Sequence, residues 1–498
     1  MVAAAIAENS PFGPNIRVAV VGAGISGIST AAHLLRQGVN VTVLERSGEP
    51  GGIWNYSETT SPSPSYPSVR PSGSNHGIFD SGSSEFATGQ DSSPIAHEFQ
   101  DVESSFAPPS ACYAGLRTNI PTSLMYPSIK SWPEDTPDLV PHSAVKGFLN
   151  ELSDESGVAK VTKYWTRVER AVKNEAGQGW RLTTRTLIKD GASKGAVEKS
   201  WDFEAVVVAS GHYNLPRVPN IPGLAELKEH YPDRVIHSKQ YRRPEAYRDS
   251  NVLIVGGGVS AMDIGRELTH TAASVTQSTR GGAFDLPKTL ISKAVNRVTG
   301  IAKFSKATDA DSDQGHQNGP INVILSDGSK LQGFDQVILA TGYLFSFPFL
   351  RQFHADETPP AAVEPTTLVG AEGDMVHNLY KDIFYIEDPT LVFVGIPYHI
   401  VTFSTFDYQA QVVARILSGL SSLPSGTQMR SEYEKRVKEI GFGLQFHSQG
   451  EGEAELRYVR DLIELVSRDE DKVSPEPLLA PSDKWLKSYV AFKKGLKG

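Results

Sequence analysis

Two short glycine-rich segments carry the residue types that bind diphosphates. The first, Gly22-Ala23-Gly24-Ile25-Ser26-Gly27, follows the mostly apolar run 16–21. The second, Gly256-Gly257-Gly258-Val259-Ser260-Ala261, follows 252–255. Gly22 allows a tight bend, Gly24 lets the backbone approach a pyrophosphate, and Gly27 allows close helix–strand contact. Helix amides beyond such a turn offer partial positive charge to phosphates. Gly256, Gly258 and Ala261 repeat the pattern, with Ser260 beside them and alanine at the close-packing position. Glu45 lies 18 residues past Gly27. There a carboxylate can accept two ribose hydroxyls, each charge-assisted bond being worth about 1.5–3 kcal/mol. No acid takes that place after the second segment. Ser278, Thr279 and Arg280 end the next strand instead, Arg280 being 19 residues beyond Ala261. A guanidinium beside hydroxyls suits a 2′-phosphate, which a carboxylate would repel. The chain therefore reads as holding two dinucleotides, the second NADP(H) rather than NAD(H). Two nucleotides held face to face suit a hydride relay from a nicotinamide to a flavin.

These residues need strand–turn–helix units to hold them. The patterning predicts strands over 16–21 and 39–45 with a helix over 28–37 between them, and a second such unit from Asn251 with its next strand over 274–277. A helix over 141–152 and strands over 180–187, 203–210, 321–325, 335–340 and 391–395 are expected, with a helix over 406–417 returning to the first unit. The segments 204–211 and 335–342 echo one another, each an acidic or amide start, an apolar run and a closing small-residue turn with Gly211 or Gly342. The fold class is α/β, with two Rossmann-like dinucleotide-binding domains. The larger is split between 1–215 and 335–498, and the smaller, over 216–334, is inserted into it. A Ser/Pro/Gly-rich stretch over 57–110 interrupts the first part. It reads as a partly ordered loop lining or covering the site, anchored by Phe79, Phe86, Phe99 and Phe106.

Composition narrows the function. Of 498 residues, 39% are hydrophobic and 21% charged, as in an ordinary soluble enzyme. A net charge of -9 argues against a nucleic-acid partner. The lone Cys112 excludes an intrachain disulfide, a thiolate-rich metal site or a CxxC redox pair, and so a disulfide reductase. No metal site is expected. No stretch approaches the roughly 20 apolar residues that span a bilayer. The first residues show no cationic start, so a cytoplasmic location is expected. The segment 484–497 mixes Trp485, Tyr489 and Phe492 with lysines and reads as a docked terminal helix, with a membrane-surface helix as the alternative. A homodimer is compatible with the sequence.

The assembled motifs resemble the flavin-containing monooxygenases. The likeness runs from Val18 to about Leu417. It is carried by the first glycine turn, Gly51-Gly52-Ile53-Trp54, the run Leu116-Arg117-Thr118-Asn119-Ile120-Pro121, Ala340-Thr341-Gly342-Tyr343, and Tyr231-x-Asp233-xxx-His237-xxx-Tyr241. In the last of these, Tyr and Asp replace the family's Phe and Gly. Baeyer–Villiger relatives place Trp where this chain has Tyr241, which disfavours ketone oxidation. The resemblance implies FAD at the first turn, with Gly52, Trp54, Thr118, Thr341 and Gly342 near the cofactors, and NADPH at the second. It implies that one atom of O₂ is inserted into a small molecule at nitrogen or sulfur through a C4a-hydroperoxyflavin. Ketone oxygenation is the alternative chemistry, and a catalytically silent flavin-binding scaffold the alternative of another class. Asn119 is the expected catalytic residue, because a carboxamide donates and accepts without titrating; the plain alternative is an Asn that shapes the loop before Pro121. His237 and Tyr241 are expected to tie the domains together. Tyr213, Tyr398, His399 and Phe403 are candidate substrate residues.

Overall fold

Valine-rich runs buried on both faces form the middle of two parallel sheets, as parallel strands covered on both sides require. A computed structural model describes residues 12–13, 15–73, 103–175, 177–188, 195–282, 284–306, 319–467 and 478–495. Its site-forming elements are β1 (Arg17–Val21), α1 (Ile25–Arg36), β2 (Asn40–Leu44), β3 (Ala205–Val208), β4 (Val235–His237), β5 (Asn251–Val255), α2 (Val259–Leu268), β6 (Ser274–Ser278), β7 (Val295–Val298), β8 (Gln336–Leu339), β9 (Leu391–Phe393), α3 (Thr402–Leu417), α4 (Ala454–Ser467) and α5 (Asp483–Gly495). The first sheet runs Leu379–Tyr380, Phe384–Tyr385, β9, β3, β1, β2, Thr162–Lys163. Its last five strands pair in parallel. The second sheet is parallel throughout, in the order β7, β6, β5, β8, β4.

The first helix begins earlier than the 28–37 that hydrophobic periodicity indicates. α1 starts at Ile25, inside the glycine motif, with Gly24 as its N-cap. It is buried from Ile25 to Leu34. His33 on α1 bonds Asp407 on α3 at 2.8 Å, so the helix is gripped between sheet and α3. β8 belongs to the second sheet, so the inserted domain extends past residue 334, the boundary expected from sequence, through Leu339. The reason is pairing: β8 lies between β5 and β4, with Val252 opposite Gln336. The two chain crossings between the domains also pair, Pro216 opposite Tyr343. Thr341 Oγ1 donates to Arg217 O at 2.5 Å, and Arg217 N donates to Gly342 O at 2.9 Å.

The internal echo has a structural meaning. Ala209 N donates to Val21 O at 3.0 Å, and Ala340 N to Val255 O at 2.8 Å. Each alanine thereby lays its own carbonyl over a glycine turn. A Cβ on Gly22 (φ 105°) would stand 2.6 Å from Ala209 O, and one on Gly256 (φ 135°) 2.1 Å from Ala340 O. Among the insert anchors, Phe106 is buried under the Arg167 guanidinium, 4.8 Å from its ring centre. Phe79, Phe86 and Phe99 lie outside the described residues. α5 buries Trp485 and Tyr489, and Trp485 Nε1 donates to Leu124 O at 3.2 Å, so the terminal helix is docked. Among the described residues no helix is long and apolar enough to cross a membrane.

His237 is fully buried at the end of β4. Its Nδ1 accepts from Lys239 N at 3.1 Å, which leaves Nε2–H to donate to Gly342 O at 3.1 Å. Burial lowers its pKa to about 3, and those of His212 and His377 to about 4. Each is depressed below the unfolded value of about 6.5, so the unfolded chain binds more protons between the two values. Stability from these rings is therefore present above pH about 6.5 and is lost as pH falls toward their folded pKa values. Denaturant titrations from pH 7 to pH 4 should show that loss, with a shallower slope in His237→Gln. Gly256→Ala should cost about 1–3 kcal/mol through backbone strain alone, and should abolish NADP⁺ binding in a calorimetric titration while bound flavin is retained.

Candidate functional site

A continuous cleft of about 2160 Å³ joins both glycine turns. An ordinary small-molecule pocket is about 300–1,000 Å³, so the volume suits more than one large ligand. Gly24 and Gly258 are the N-caps of α1 and α2, and neither helix has a side-chain cap. Their first amides therefore lack intrahelical partners and face the cleft. A Cβ at Gly258 would meet nothing within 4 Å, and one at Gly24 only Gly52 Cα at 3.8 Å. These two open cradles fit dinucleotide diphosphates. Gly27 and Ala261 do not line the cleft. A Cβ on Gly27 would stand 1.9 Å from Gly22 O, and Ala261 is buried in the core of the second domain.

Glu45 sits at the tip of β2. Its Oε2 accepts from Ala23 N at 2.6 Å, and its Oε1 from Ser47 N and Ser47 Oγ at 2.8 and 2.7 Å. Each carboxylate oxygen has two lone-pair directions, so Oε2 keeps one for a ribose hydroxyl. Gly52 and Trp54 form a 3₁₀ turn along the cleft, held to the first glycine turn by Gly51 N donating to Ala23 O at 2.9 Å. Behind it Phe403 is fully buried, edge-on to Trp54 at 6.5 Å and near Phe148 at 6.4 Å. Phe403 is thus a core residue and not the pocket residue expected from sequence; it lies on the α3 face turned toward Trp54.

Thr118 is buried and does not line the cleft. Its backbone N donates to Val140 O at 2.9 Å and its Oγ1 accepts from Val140 N at 3.1 Å. That clamp presents the next residue, Asn119, which is exposed along the cleft. The Asn119 carboxamide makes no hydrogen bond with a described residue, so both its ends are available. Tyr213 also lines the cleft, 46% exposed, edge-on to Tyr343 at 5.3 Å. Thr341 and Gly342 line it where the chain returns from the second domain.

Tyr398 and His399 line the cleft after β9. The Tyr398 hydroxyl is buried with no hydrogen-bond partner among the described residues, and His399 Nδ1 faces Ser448 Oγ at 2.8 Å. Phe284, from the second domain, stacks on His399 at 5.3 Å and lies 6.0 Å from Tyr398. No spacing in the sequence singles out Phe284, because its neighbours come from a loop on the other domain. His237 and Tyr241 are buried away from the cleft. Tyr241 Oη donates to Glu267 at 2.7 Å while its ring packs between Tyr113 and Tyr247. Burial pushes the lone Cys112 thiol up to about 12, which keeps it protonated.

At the second turn, Ser278 Oγ donates to Thr299 O at 2.8 Å, and Ser260 and Arg280 line the cleft. Arg280 is exposed and makes no ion pair with a described residue. One acid was missed. Asp285 accepts from Thr279 Oγ1 and from Gly282 N, the latter at 3.0 Å, and stands beside Gly257. Sequence spacing along β6 could not find it, because it returns from the loop beyond Arg280.

The family described as flavin-binding monooxygenase-like matches residues 98–294 and 318–475, and the FAD-dependent oxidoreductase family matches 17–61. The chain is 39% identical to the flavin-containing monooxygenase ustF2 of Aspergillus flavus, over 96% of this chain and 97% of that one. It is 30% identical to the flavin-containing monooxygenase iboF of Amanita muscaria, over 89% and 86%. Among solved structures, S-allyl-L-cysteine S-oxygenase from Allium sativum superposes with a TM-score of 0.64 at 26% identity, covering 96% of this chain and 99% of that one. An open form of cyclohexanone monooxygenase shares the fold, with a TM-score of 0.51 at 12% identity over 92% and 99%. The cofactor set that goes with such kinship is FAD with NADP(H). By the length of these matches and by the two-turn cleft, the chain belongs to the flavin-binding monooxygenase-like family and is a flavin monooxygenase.

Proposed function

We propose that this enzyme uses NADPH and O₂ to oxygenate a nitrogen or sulfur of a small molecule. The observation that carries the reading is the cleft itself, which both glycine turns and the unpartnered Asn119 carboxamide share. Bound FAD, reduced by NADPH, supplies the oxygen-activating chemistry. The protein supplies position, polarity and exclusion of water. At the first turn the α1 amides receive the diphosphate and Glu45 Oε2 receives a ribose hydroxyl. At the second turn Ser260 and the α2 amides take the nicotinamide dinucleotide, and Arg280 favours a 2′-phosphate, while the buried Ser278 hydroxyl is spent on Thr299 O. Thr118, clamped to Val140, holds the chain beside Asn119 along the cleft. An uncharged donor and acceptor can hold a polar oxygen species without taking its proton.

Tyr213, Tyr398 and His399 form the substrate wall in this proposal, with Phe284 added from the second domain. Burial raises the Tyr398 hydroxyl pKa, so that group serves as a neutral donor. The 26% identity with an S-oxygenase, over nearly the whole of both chains, favours a thioether as the first substrate class to try. The distant ketone-oxidising neighbour supports the fold alone.

NADPH consumption with detection of an added ¹⁸O atom, across sulfide, amine and ketone panels, tests the reading directly. Label should enter sulfides or amines; label in ketones alone would overturn the heteroatom assignment. Asn119→Ala should retain FAD but divert NADPH turnover to H₂O₂, with coupled product falling by roughly 10²-fold, the scale for losing one positioned donor. Arg280→Ala should raise KM for NADPH about tenfold, corresponding to about 1.4 kcal/mol, and leave KM for NADH nearly unchanged. Equal changes for the two cofactors would remove Arg280 from 2′-phosphate recognition.

A further inference from the structure

One part of the cleft wall holds two cations that make no ion pair with a described carboxylate. Lys239, two residues past β4, is 6% exposed and still lines the cleft. Its Nζ donates to Asn214 O at 2.7 Å. Arg46, just beyond β2, reaches the same residue from the first domain, its Nη2 donating to Asn214 Oδ1 at 2.6 Å. Asn214 Nδ2 donates to Ser210 O at 2.9 Å, which fixes the amide so that its oxygen must face Arg46. Neither Arg46 nor Lys239 makes an ion pair with a described carboxylate. The nearest acid in sequence, Glu45, accepts from Ala23 and Ser47, and its charge acts on Arg46 from beyond ion-pair distance but not on Lys239.

A third cation stands behind them. Arg242 is buried, and its guanidinium donates to the carbonyls of Thr59, Ser110, Lys239 and Tyr241. It is satisfied by those oxygens but adds positive potential. Burial, then the Arg46 charge, then the Arg242 charge lower the Lys239 pKa to about 7. A buried cation without an ion-paired acid is costly, and Lys239 stands in that position. Carbonyl and amide oxygens solvate these two groups in part, but they carry no net charge.

We infer that Arg46 and Lys239, bridged by Asn214 at the seam between the two domains, form a binding subsite for an anionic oxygen group, a phosphate or a carboxylate. Such a group would face Arg46 from the first domain and Lys239 from the second. It would therefore be held only when the two walls stand as they do here. The phosphate could belong to a bound dinucleotide, and the carboxylate to the substrate; the chemistry of recognition is the same. The assignment does not depend on which atom the enzyme oxygenates.

The test is selective acylation of Lys239 in the full-length protein, read by peptide mass mapping at pH 7.5. A lysine with a depressed pKa carries much free amine there and is labelled ahead of surface lysines. An anion that raises its proton affinity by one unit cuts the reactive fraction at that pH about threefold. The labelling rate is compared with FAD bound, after flavin removal, and with added inorganic phosphate, acetate or NADP⁺. Protection by FAD alone would identify a flavin phosphate as the occupant, and added protection by NADP⁺ a phosphate of the second dinucleotide. Protection of the FAD-loaded protein by free phosphate or acetate would identify a site for a free or substrate-borne anion. Arg46→Met should abolish protection while FAD absorbance is retained or while the flavin-free protein keeps its melting temperature. A Lys239 labelling rate that is the same under every condition, or unchanged protection in Arg46→Met, would overturn the inference.

Discussion

The structure depends on a carbonyl laid over each glycine turn. Ala209 O closes the first turn and Ala340 O the second, each within a distance that excludes a Cβ on the glycine below it. Those carbonyls come from β3 and β8, strands far from the turns in sequence. A turn is therefore shaped only after a long-range parallel pairing has formed. The consequence is that the diphosphate cradles, the sheet order and the domain crossings are set together. The residues after the two alanines, Gly211 and Gly342, lead straight into the crossing segments, where Pro216 and Tyr343 pair. The same motif thus shapes a cofactor turn on one side and a hinge on the other.

Buried neutral groups hold that hinge. His237 is uncharged and uses both ring nitrogens, one on Lys239 N and one on Gly342 O. Tyr241 and Tyr113 direct their hydroxyls to Glu267 and Asp263, both on α2. Tyr113 precedes the Asn119 loop, so α2 of the second domain is bonded directly to the segment that presents Asn119. A charged imidazole would still donate to Gly342 O but would leave Lys239 N without its acceptor.

The two nucleotide units were legible in sequence because their signals are local. Glycine spacing, a following helix, a second strand and a terminal acid or arginine lie within about thirty residues of one another, the length of a βαβ unit. Element ends were less legible: α1 begins inside the glycine motif, and apolar periodicity cannot mark a turn whose amides face a cleft. Phe403 was misread because helical spacing does not say which face of α3 meets Trp54. Asp285, Phe284, Arg46 and Lys239 were not singled out at all. Each acts across the domain seam or back from a loop, and no one-dimensional spacing encodes such a meeting. The carbonyl clamp on Thr118 was likewise invisible, since it needs Val140 brought alongside.

Charge along the cleft explains how an acidic chain can hold two anionic cofactors. The protein carries a net charge of -9, yet the cleft-lining carboxylates described above and others beside them are engaged. Glu45 is tied to backbone and hydroxyl donors, Glu49 to Lys146 at 2.6 Å, Glu169 to Arg167 at 2.8 Å, and Asp263 to Tyr113 and Arg266 at 2.8 and 2.9 Å. Asp285 is tied to Thr279 and Gly282. Arg46, Lys239 and Arg280 line the same cleft without acidic partners. Cations without an ion-paired acid among the described residues thus face the cleft, and low-dielectric walls concentrate their field. Global charge repels polyanions such as nucleic acid, whereas local charge favours small anions that can enter. Asn119, exposed along the same cleft, adds a donor and an acceptor to it without adding charge at any working pH.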